Sequence, residues 1–217
     1  MNIRLGIYEI FSRIVPGLLY IAAVGQVFVI LGLVEINWEI VNNISITSAV
    51  GIIIIAYFVG EAFDRFAIFW FRLFRKKGFS TRSFAAFKKK HIDQWTIDFE
   101  DRDWPILLAH IRTKNLELAS EIERHNALSI MLRNVSFGFL LMAISSQIQY
   151  ILSRDFLYMA VSISLLVIAV LLGRESGKFR EWFYNGIYET IIALRIELTN
   201  YVKPVENKTE EQKNGDR

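Results

Sequence analysis

The sequence contains no cysteine among its 217 residues. Disulfide bonds and cysteine-ligated metal sites are therefore excluded, because both require thiols. The three histidines are isolated from one another in the sequence: His91, His110 and His125. The chain also lacks the HExxH, glycine-rich phosphate-loop and G-x-S-x-G motifs of common catalytic sites. We therefore predict no enzyme activity, no catalytic residue, no metal and no cofactor.

Charged residues are missing from long parts of the chain. Hydrophobic residues make up 53% of the sequence, and the mean hydropathy is +0.32. A soluble domain of this size usually has fewer apolar residues. The formal net charge of +3 is too small to indicate nucleic acid, so we expect no direct nucleic-acid partner. Composition therefore predicts a membrane protein whose first partner is the lipid bilayer.

Four stretches are long enough to cross a bilayer, whose hydrocarbon layer requires about 20 helical residues. Three of them, Ile14–Val34, Asn134–Ser153 and Phe156–Gly173, contain no charged residue. The remaining stretch, Ser48–Phe71, is apolar apart from a charged cluster in its second half. Only two residues separate the last two stretches, which predicts a tight antiparallel hairpin.

Positively charged residues are concentrated in two segments. The segment Arg72–Arg133 contains 13 Lys and Arg residues, and the chain from Arg174 onward contains eight. The loop between the first two spans contains none, and the loop between the last two contains only Arg154. Cytoplasmic loops carry an excess of Lys and Arg. We therefore predict a multi-pass protein of the cell inner (plasma) membrane with both termini in the cytoplasm.

The predicted fold class is all-α, a polytopic membrane protein with four transmembrane helices, a helical cytoplasmic hairpin and a C-terminal amphipathic helix. In the amphipathic helix, apolar side chains recur at helical spacing on one broad face. In chain order the predicted segments are an interfacial N-terminal segment (1–13), the first two spans (14–74), the hairpin (75–128), the last two spans (129–173), the amphipathic helix (174–203) and a disordered tail (204–217).

Two helix-start signals predict the hairpin. Ser80 can act as the N-cap of a helix that runs to Trp95. Asp103 can cap a second helix with Pro105 in its first turn, and this helix is predicted to continue into the third span. The hairpin is small for an independent core. We therefore expect it to pack on the membrane surface, on the amphipathic helix or on a neighbouring subunit.

The most informative residues are the charges of the second span, Glu61, Asp64 and Arg65. A charge in the hydrocarbon layer costs at least about 2.5 kcal/mol, so such residues need a partner or water. Glu61 and Arg65 have the i, i+4 spacing of a helical ion pair. The remaining carboxylate, Asp64, is predicted to pair with Arg133 or Asn134 at the start of the third span. This cluster indicates either a water-lined path, gate or binding pocket, or a structural ion-pair clamp.

Three glutamines lie within the uncharged stretches, namely Gln26, Gln147 and Gln149. They either line a pore together or hydrogen-bond between helices. The second alternative is common in membranes and contributes about 0.6 kcal/mol per contact.

Two basic clusters lie close to the predicted membrane surface. Their members are Arg72, Arg75, Lys76, Lys77, Lys88, Lys89 and Lys90. One interpretation is that they set the topology and attract anionic lipid, at about 1 kcal/mol per charge near the surface. The other is a specific site for a nucleotide, a phosphoinositide or nucleic acid, or the surface that a partner binds.

The four apolar stretches, the basic segment Arg72–Arg133, the Glu61, Asp64 and Arg65 cluster and the amphipathic tail form one layout. This layout resembles small four-span prokaryotic membrane proteins of anti-phage defence, such as the four-span effectors of cyclic-oligonucleotide signalling systems (CBASS) and the membrane subunit of the Kiwa system. The resemblance implies a homo-oligomer that couples a cytosolic signal or partner to the inner membrane as a pore-forming or membrane-disrupting effector.

A non-conducting sensor or scaffold is the alternative function. Such a protein would anchor a cytosolic protein partner at the membrane, and the partner would bind through residues 72–133.

Overall fold

The computed structural model describes residues 3–35, 45–73, 78–91 and 99–194. These ranges contain six helices and no β-strand: α1 (Ile3–Ile30), α2 (Ile46–Arg72), α3 (Phe79–His91), α4 (Trp104–Lys114), α5 (Leu116–Ser153) and α6 (Phe156–Ala193). Helices α1, α2, α5 and α6 are each long and apolar enough to cross a membrane. The predicted all-α class and the four bilayer-length helices are therefore confirmed. The predicted helix end at Trp95 and the predicted tail 204–217 lie outside the described residues.

Helices α5 and α6 are much longer than a bilayer requires. Each has 38 residues. At 1.5 Å per residue such a helix is about 57 Å long, nearly twice the ~30 Å hydrocarbon layer. The first half of α5 and the second half of α6 therefore extend beyond the uncharged stretches as continuous helix.

The hairpin helices pack on these extensions. Together, α3, α4 and the residues 99–103 that precede it, residues 116–133 of α5 and residues 174–193 of α6 form a unit that we call the head. Its hydrophobic core consists of Phe79, Phe87, Phe99, Leu107, Leu108, Ile111, Ala119, Ile122, Phe183, Tyr184, Ile187, Tyr188 and Ile191. Among the three alternatives for the hairpin, the structure therefore shows packing on the chain that follows the fourth span.

Two details of the hairpin differ from the predictions. Ser80 is not an N-cap, because α3 begins at Phe79 and the Ser80 hydroxyl donates to the backbone oxygen of Asp101 at 2.6 Å. The same hydroxyl lies 2.9 Å from the Tyr188 hydroxyl, so a tertiary contact replaces the local cap. The second hairpin helix does not run unbroken into the third span. It ends at Lys114, and Asn115 caps α5 by accepting from two backbone N–H groups.

Asp103 does occupy the N-cap position of α4, with Pro105 in the first turn. Its carboxylate nevertheless accepts from the backbone N–H of Glu100 at 2.8 Å instead of from the helix.

Small residues at seven-residue spacing join α5 to α6. Ser129, Ser136 and Ala143 on α5 face Ser176, Ala169 and Ser162 on α6, respectively. The Ser136 hydroxyl donates to the Ala169 backbone oxygen at 2.6 Å, and the Ser162 hydroxyl donates to the Ala143 backbone oxygen at 2.9 Å. Small side chains let two helices approach closely, and each such hydrogen bond adds about 0.6 kcal/mol in a bilayer. This seam fixes the register of the predicted antiparallel hairpin.

Glycines let α1 approach α2 until backbone meets backbone. A methyl group added at Gly17 would overlap the backbone oxygen of Ala56, and one added at Gly60 would overlap the backbone oxygen of Arg13. Methyl groups added at Gly25 or Gly51 would meet no atom within 4 Å. Gly17 and Gly60 are therefore the positions that set the distance between these helices.

We predict that Gly17→Ala and Gly60→Ala each destabilise the protein by about 1–3 kcal/mol, because the helix backbones must separate. The matched controls Gly25→Ala and Gly51→Ala should be neutral or stabilising by up to about 1 kcal/mol, since alanine has the higher helix propensity. Thermal unfolding of the purified protein in detergent measures the difference. Equal effects at all four positions would contradict the close approach.

Candidate functional site

Four charged residues from three helices meet at one end of the membrane-spanning bundle. Arg13 on α1 and Arg133 on α5 each stand immediately before an uncharged stretch, and Glu61 and Asp64 lie about one turn apart on α2. We call these four residues and Asn134 the clamp. Its position places the charges at the boundary of the apolar stretches rather than at their centre.

Asp64 is the centre of the clamp. Its Oδ1 atom accepts from Arg13 Nη1 at 2.7 Å, from Arg133 Nη2 at 2.6 Å and from Asn134 Nδ2 at 2.9 Å. Arg13 Nε lies 2.9 Å from Glu61 Oε2, so one guanidinium binds both carboxylates of α2. A single side chain of α2 is thereby bonded to both of its neighbouring helices.

The clamp has no net charge, because two guanidinium groups face two carboxylates. The side chains of Arg13, Asp64 and Arg133 are only 15–18% exposed, whereas Glu61 is 56% exposed. Removing a charge from water costs several kcal/mol unless its partner and its hydrogen bonds are complete. The three hydrogen bonds that Asp64 accepts, two of them from guanidinium groups, meet this requirement. Bonds of this charge-assisted kind are also about twice as strong as neutral ones.

A buried tyrosine links α1 to α5 beside the clamp. Tyr20 and Asn134 are both fully buried, and the Tyr20 hydroxyl donates to the Asn134 backbone oxygen at 2.8 Å. On the other side, Trp70 Nε1 donates to the Ser136 hydroxyl at 2.9 Å. Since Ser136 in turn donates to Ala169, this relay connects α2 through α5 to α6. All four bilayer-length helices are thus joined by polar contacts near one boundary.

The prediction for Glu61 was wrong. Glu61 pairs with Arg13 on another helix, not with Arg65 at i+4. Arg65 is exposed, and no carboxylate of the described residues lies within 4 Å of it. Arg13, the last residue of the predicted interfacial segment 1–13, is a clamp residue. Its position next to a long uncharged stretch was the signal that it lies at the membrane boundary.

The three glutamines of the uncharged stretches lie on two helices, Gln26 on α1 and both Gln147 and Gln149 on α5. In the part of the chain that the structure describes, no hydrogen bond joins Gln26, Gln147 and Gln149 to one another. Gln147 is exposed, and the buried Oε1 atom of Gln149 has no hydrogen-bond partner among the described residues. The neighbouring Ser145 is used in packing, because its hydroxyl contacts the Ala23 backbone oxygen at 3.3 Å.

Only some members of the two predicted basic clusters are available to bind a ligand or a partner. Arg72, Lys88 and Lys89 are exposed. Lys90 Nζ lies 2.8 Å from Glu189 Oε1 and is therefore an internal ion-pair partner between α3 and α6. The remaining members of the predicted clusters lie outside the described residues: Arg75, Lys76 and Lys77.

A pocket of about 320 Å³ lies where the first part of α1 meets the head. Its apolar wall includes Trp104, Leu108 and Phe183, and its polar wall includes Ser12 and Arg13. Because Arg13 also binds Glu61 and Asp64, one side chain lines the pocket and belongs to the clamp. Within the described residues, no group of three or more His, Asp or Glu side chains could hold a metal ion.

These features define the class of the molecule as a multi-pass, all-helical membrane protein with a packed head at one end. Comparison of the chain with protein-family models, curated proteins and solved structures finds no match. The class is therefore defined by the chain's own geometry, and the anti-phage resemblance of its layout stays a prediction.

We predict that Asp64→Ala lowers the free energy of unfolding by about 3 kcal/mol, because it leaves the buried Arg133 without a carboxylate and Arg13 with only the largely exposed Glu61. Glu61→Ala should cost about 1 kcal/mol or less, since Glu61 is largely exposed. Thermal or denaturant unfolding in a mild detergent measures both values.

Arg65→Ala is the matched control, because it removes a charge from the same helix outside the clamp. It should change stability by no more than about 0.5 kcal/mol. A loss as large as that of Asp64→Ala would show that the clamp is not the source of the stability.

Proposed function

We propose that the protein couples a cytosolic partner or signal to the inner membrane as a membrane-anchored sensor or scaffold, with its head and both termini in the cytoplasm. The observation that carries this proposal is the continuity of α5 and α6, which run from the bilayer-length bundle into the head. A partner bound to the head would therefore act directly on two membrane-spanning helices.

The orientation is inferred from charge. The head belongs to the Lys- and Arg-rich parts of the chain, whereas the turn between α5 and α6 contains only Arg154. The positive-inside rule favours a cytoplasmic head on this basis. The head core is built from residues outside the uncharged stretches, which supports a unit that faces water.

The shared position of Arg13 supports coupling. Arg13 lines the pocket below the head and also binds Glu61 and Asp64. Any rearrangement that draws Arg13 into the pocket would weaken two ion pairs that hold α1 to α2. A conformational change at the head would then alter the clamp, although the clamp itself has no net charge.

The exposed basic residues of α3 offer a surface for the partner. Lys88 and Lys89 are exposed and lie beside Lys90, which Glu189 already neutralises in part. Two adjacent cations that have no ion-pair partner among the described residues favour an acidic protein surface. The anti-phage layout would place such a partner among defence proteins.

The experiment is co-purification of the full-length protein from native membranes, followed by reconstitution with the purified partner. We expect a specific soluble protein to bind the wild type and to lose at least tenfold in affinity for Lys88→Glu/Lys89→Glu. The control Arg154→Glu removes a positive charge at the opposite end of the molecule and should bind normally. Loss of binding in neither variant, or in both equally, would contradict the proposed surface.

A pore-forming homo-oligomer is the second candidate, and two glutamines favour it. Gln147 is exposed on a bilayer-length helix, and Gln149 has a buried carbonyl oxygen without a partner among the described residues. Polar side chains in a bilayer promote helix association because they seek hydrogen bonds. Ion flux through liposomes that is lost in Gln147→Leu/Gln149→Leu would support this candidate. Liposomes that stay impermeable with and without the partner would support the scaffold.

A further inference from the structure

A second, smaller pocket lies at the membrane boundary on a different side of the molecule. It has a volume of about 190 Å³ and lies between the end of α2, the first turn of α3 and the middle of α6. Phe71, Phe79 and Gly177 form its apolar wall, and Phe71 stacks on Phe79 with ring centroids 5.8 Å apart. We call it the boundary pocket.

The polar wall of the boundary pocket is mainly cationic. It contains Arg82, Arg174 and Lys178, with Glu181 as its one carboxylate. Arg82 Nη1 lies 2.8 Å from Glu181, and Lys178 pairs with Glu175 at 2.7 Å outside the pocket lining. No carboxylate among the described residues lies within 4 Å of Arg174. The pocket therefore keeps an uncompensated positive charge.

The paired cations also retain capacity for a ligand. A guanidinium has five N–H donors and an ammonium has three. Arg82 and Lys178 each use part of this set in a single ion pair, and their side chains are 50% and 60% exposed. Arg82 and Lys178 therefore keep N–H donors that a bound anion could use while both ion pairs stay formed.

The location indicates which anion fits. Gly173 is the last residue of the uncharged stretch of α6, and Arg174 is the first charged residue after it. Leu171, two residues before Gly173, is 57% exposed on the apolar side of this boundary. An anion held here by Arg174 would have water on one side and acyl chains on the other, which is the position of a phospholipid phosphate.

We propose that the boundary pocket binds the phosphate headgroup of an anionic phospholipid from the leaflet on the head side. Arg174 supplies the uncompensated charge, Arg82 and Lys178 supply further donors, and the stacked Phe71 and Phe79 rings contact the glycerol and upper acyl region. The pocket volume of about 190 Å³ is several times the ~30 Å³ that one water molecule takes up in the liquid, which leaves room for a group larger than a single water. This inference depends on membrane insertion but not on the proposed partner.

The test uses the full-length protein in a neutral detergent, with phosphatidylglycerol, phosphatidylcholine or inorganic phosphate added in separate titrations. Ligands that bind the folded state raise the unfolding temperature according to their affinity. We expect phosphatidylglycerol to stabilise the wild type, with at least a tenfold weaker apparent affinity in Arg174→Gln. The control Lys114→Gln removes the same charge from an exposed site at the end of α4, outside the pocket, and should change affinity less than twofold.

Each contrary result identifies a different failure. Equal losses in Arg174→Gln and Lys114→Gln would show diffuse electrostatic attraction instead of a site. Equal stabilisation by inorganic phosphate and by phosphatidylglycerol would assign the pocket to a free anion. Equal stabilisation by phosphatidylcholine, or no stabilisation by any lipid, would also overturn the proposal. Gly177→Leu, which places a large side chain against Phe79, gives an independent check because it should block the lipid without changing charge.

Discussion

The cost of placing charge next to lipid is the constraint on which this structure depends. Glu61, Asp64 and Arg65 interrupt an apolar bilayer-length helix, and the cationic partners of both carboxylates come from other helices. The protein meets this constraint with two arginines from two other helices, so that the charges cancel where they are buried. Satisfying one electrostatic requirement thereby determines which helices are neighbours and at which level they meet.

The other contacts of the bundle are consistent with this requirement. The overlap that any side chain at Gly60 would make with the Arg13 backbone shows how closely α1 must pass α2 for Arg13 to reach both carboxylates. Tyr20 and Trp70 add hydrogen bonds on either side of the clamp. The contacts between α5 and α6 continue from the bundle into the head, because both helices extend into it without a break. Membrane anchor and head are therefore parts of one packed structure.

Some of this arrangement could be predicted from the sequence, because some of its features depend only on residues that are close together in the chain. Uncharged length is a property of a single stretch, so the four long helices follow from it directly. The partner of Glu61 is not local, because Arg13 lies 48 positions earlier, and the i, i+4 rule favoured Arg65 instead. Ser80 shows the same limit, since a cap rule cannot anticipate a hydroxyl that contacts Asp101 and Tyr188.

The sequence also contains a signal for the pairing of α5 with α6. Small residues recur every seven positions at Ser129, Ser136 and Ala143, and again in the facing helix, which is the pattern of a close antiparallel helix pair. By contrast, no pattern in the sequence marks the boundary pocket. It arises only when the end of α2 and the first turn of α3 are brought against α6.

The most direct measurement of the central claim is a double-mutant cycle between Arg13 and Asp64. Unfolding free energies of the wild type, Arg13→Ala, Asp64→Ala and the double variant give the coupling between the two side chains. The clamp predicts a coupling of at least about 1.5 kcal/mol, with the double variant less destabilised than the sum of the single variants. Additive effects, within about 0.3 kcal/mol, would contradict the account.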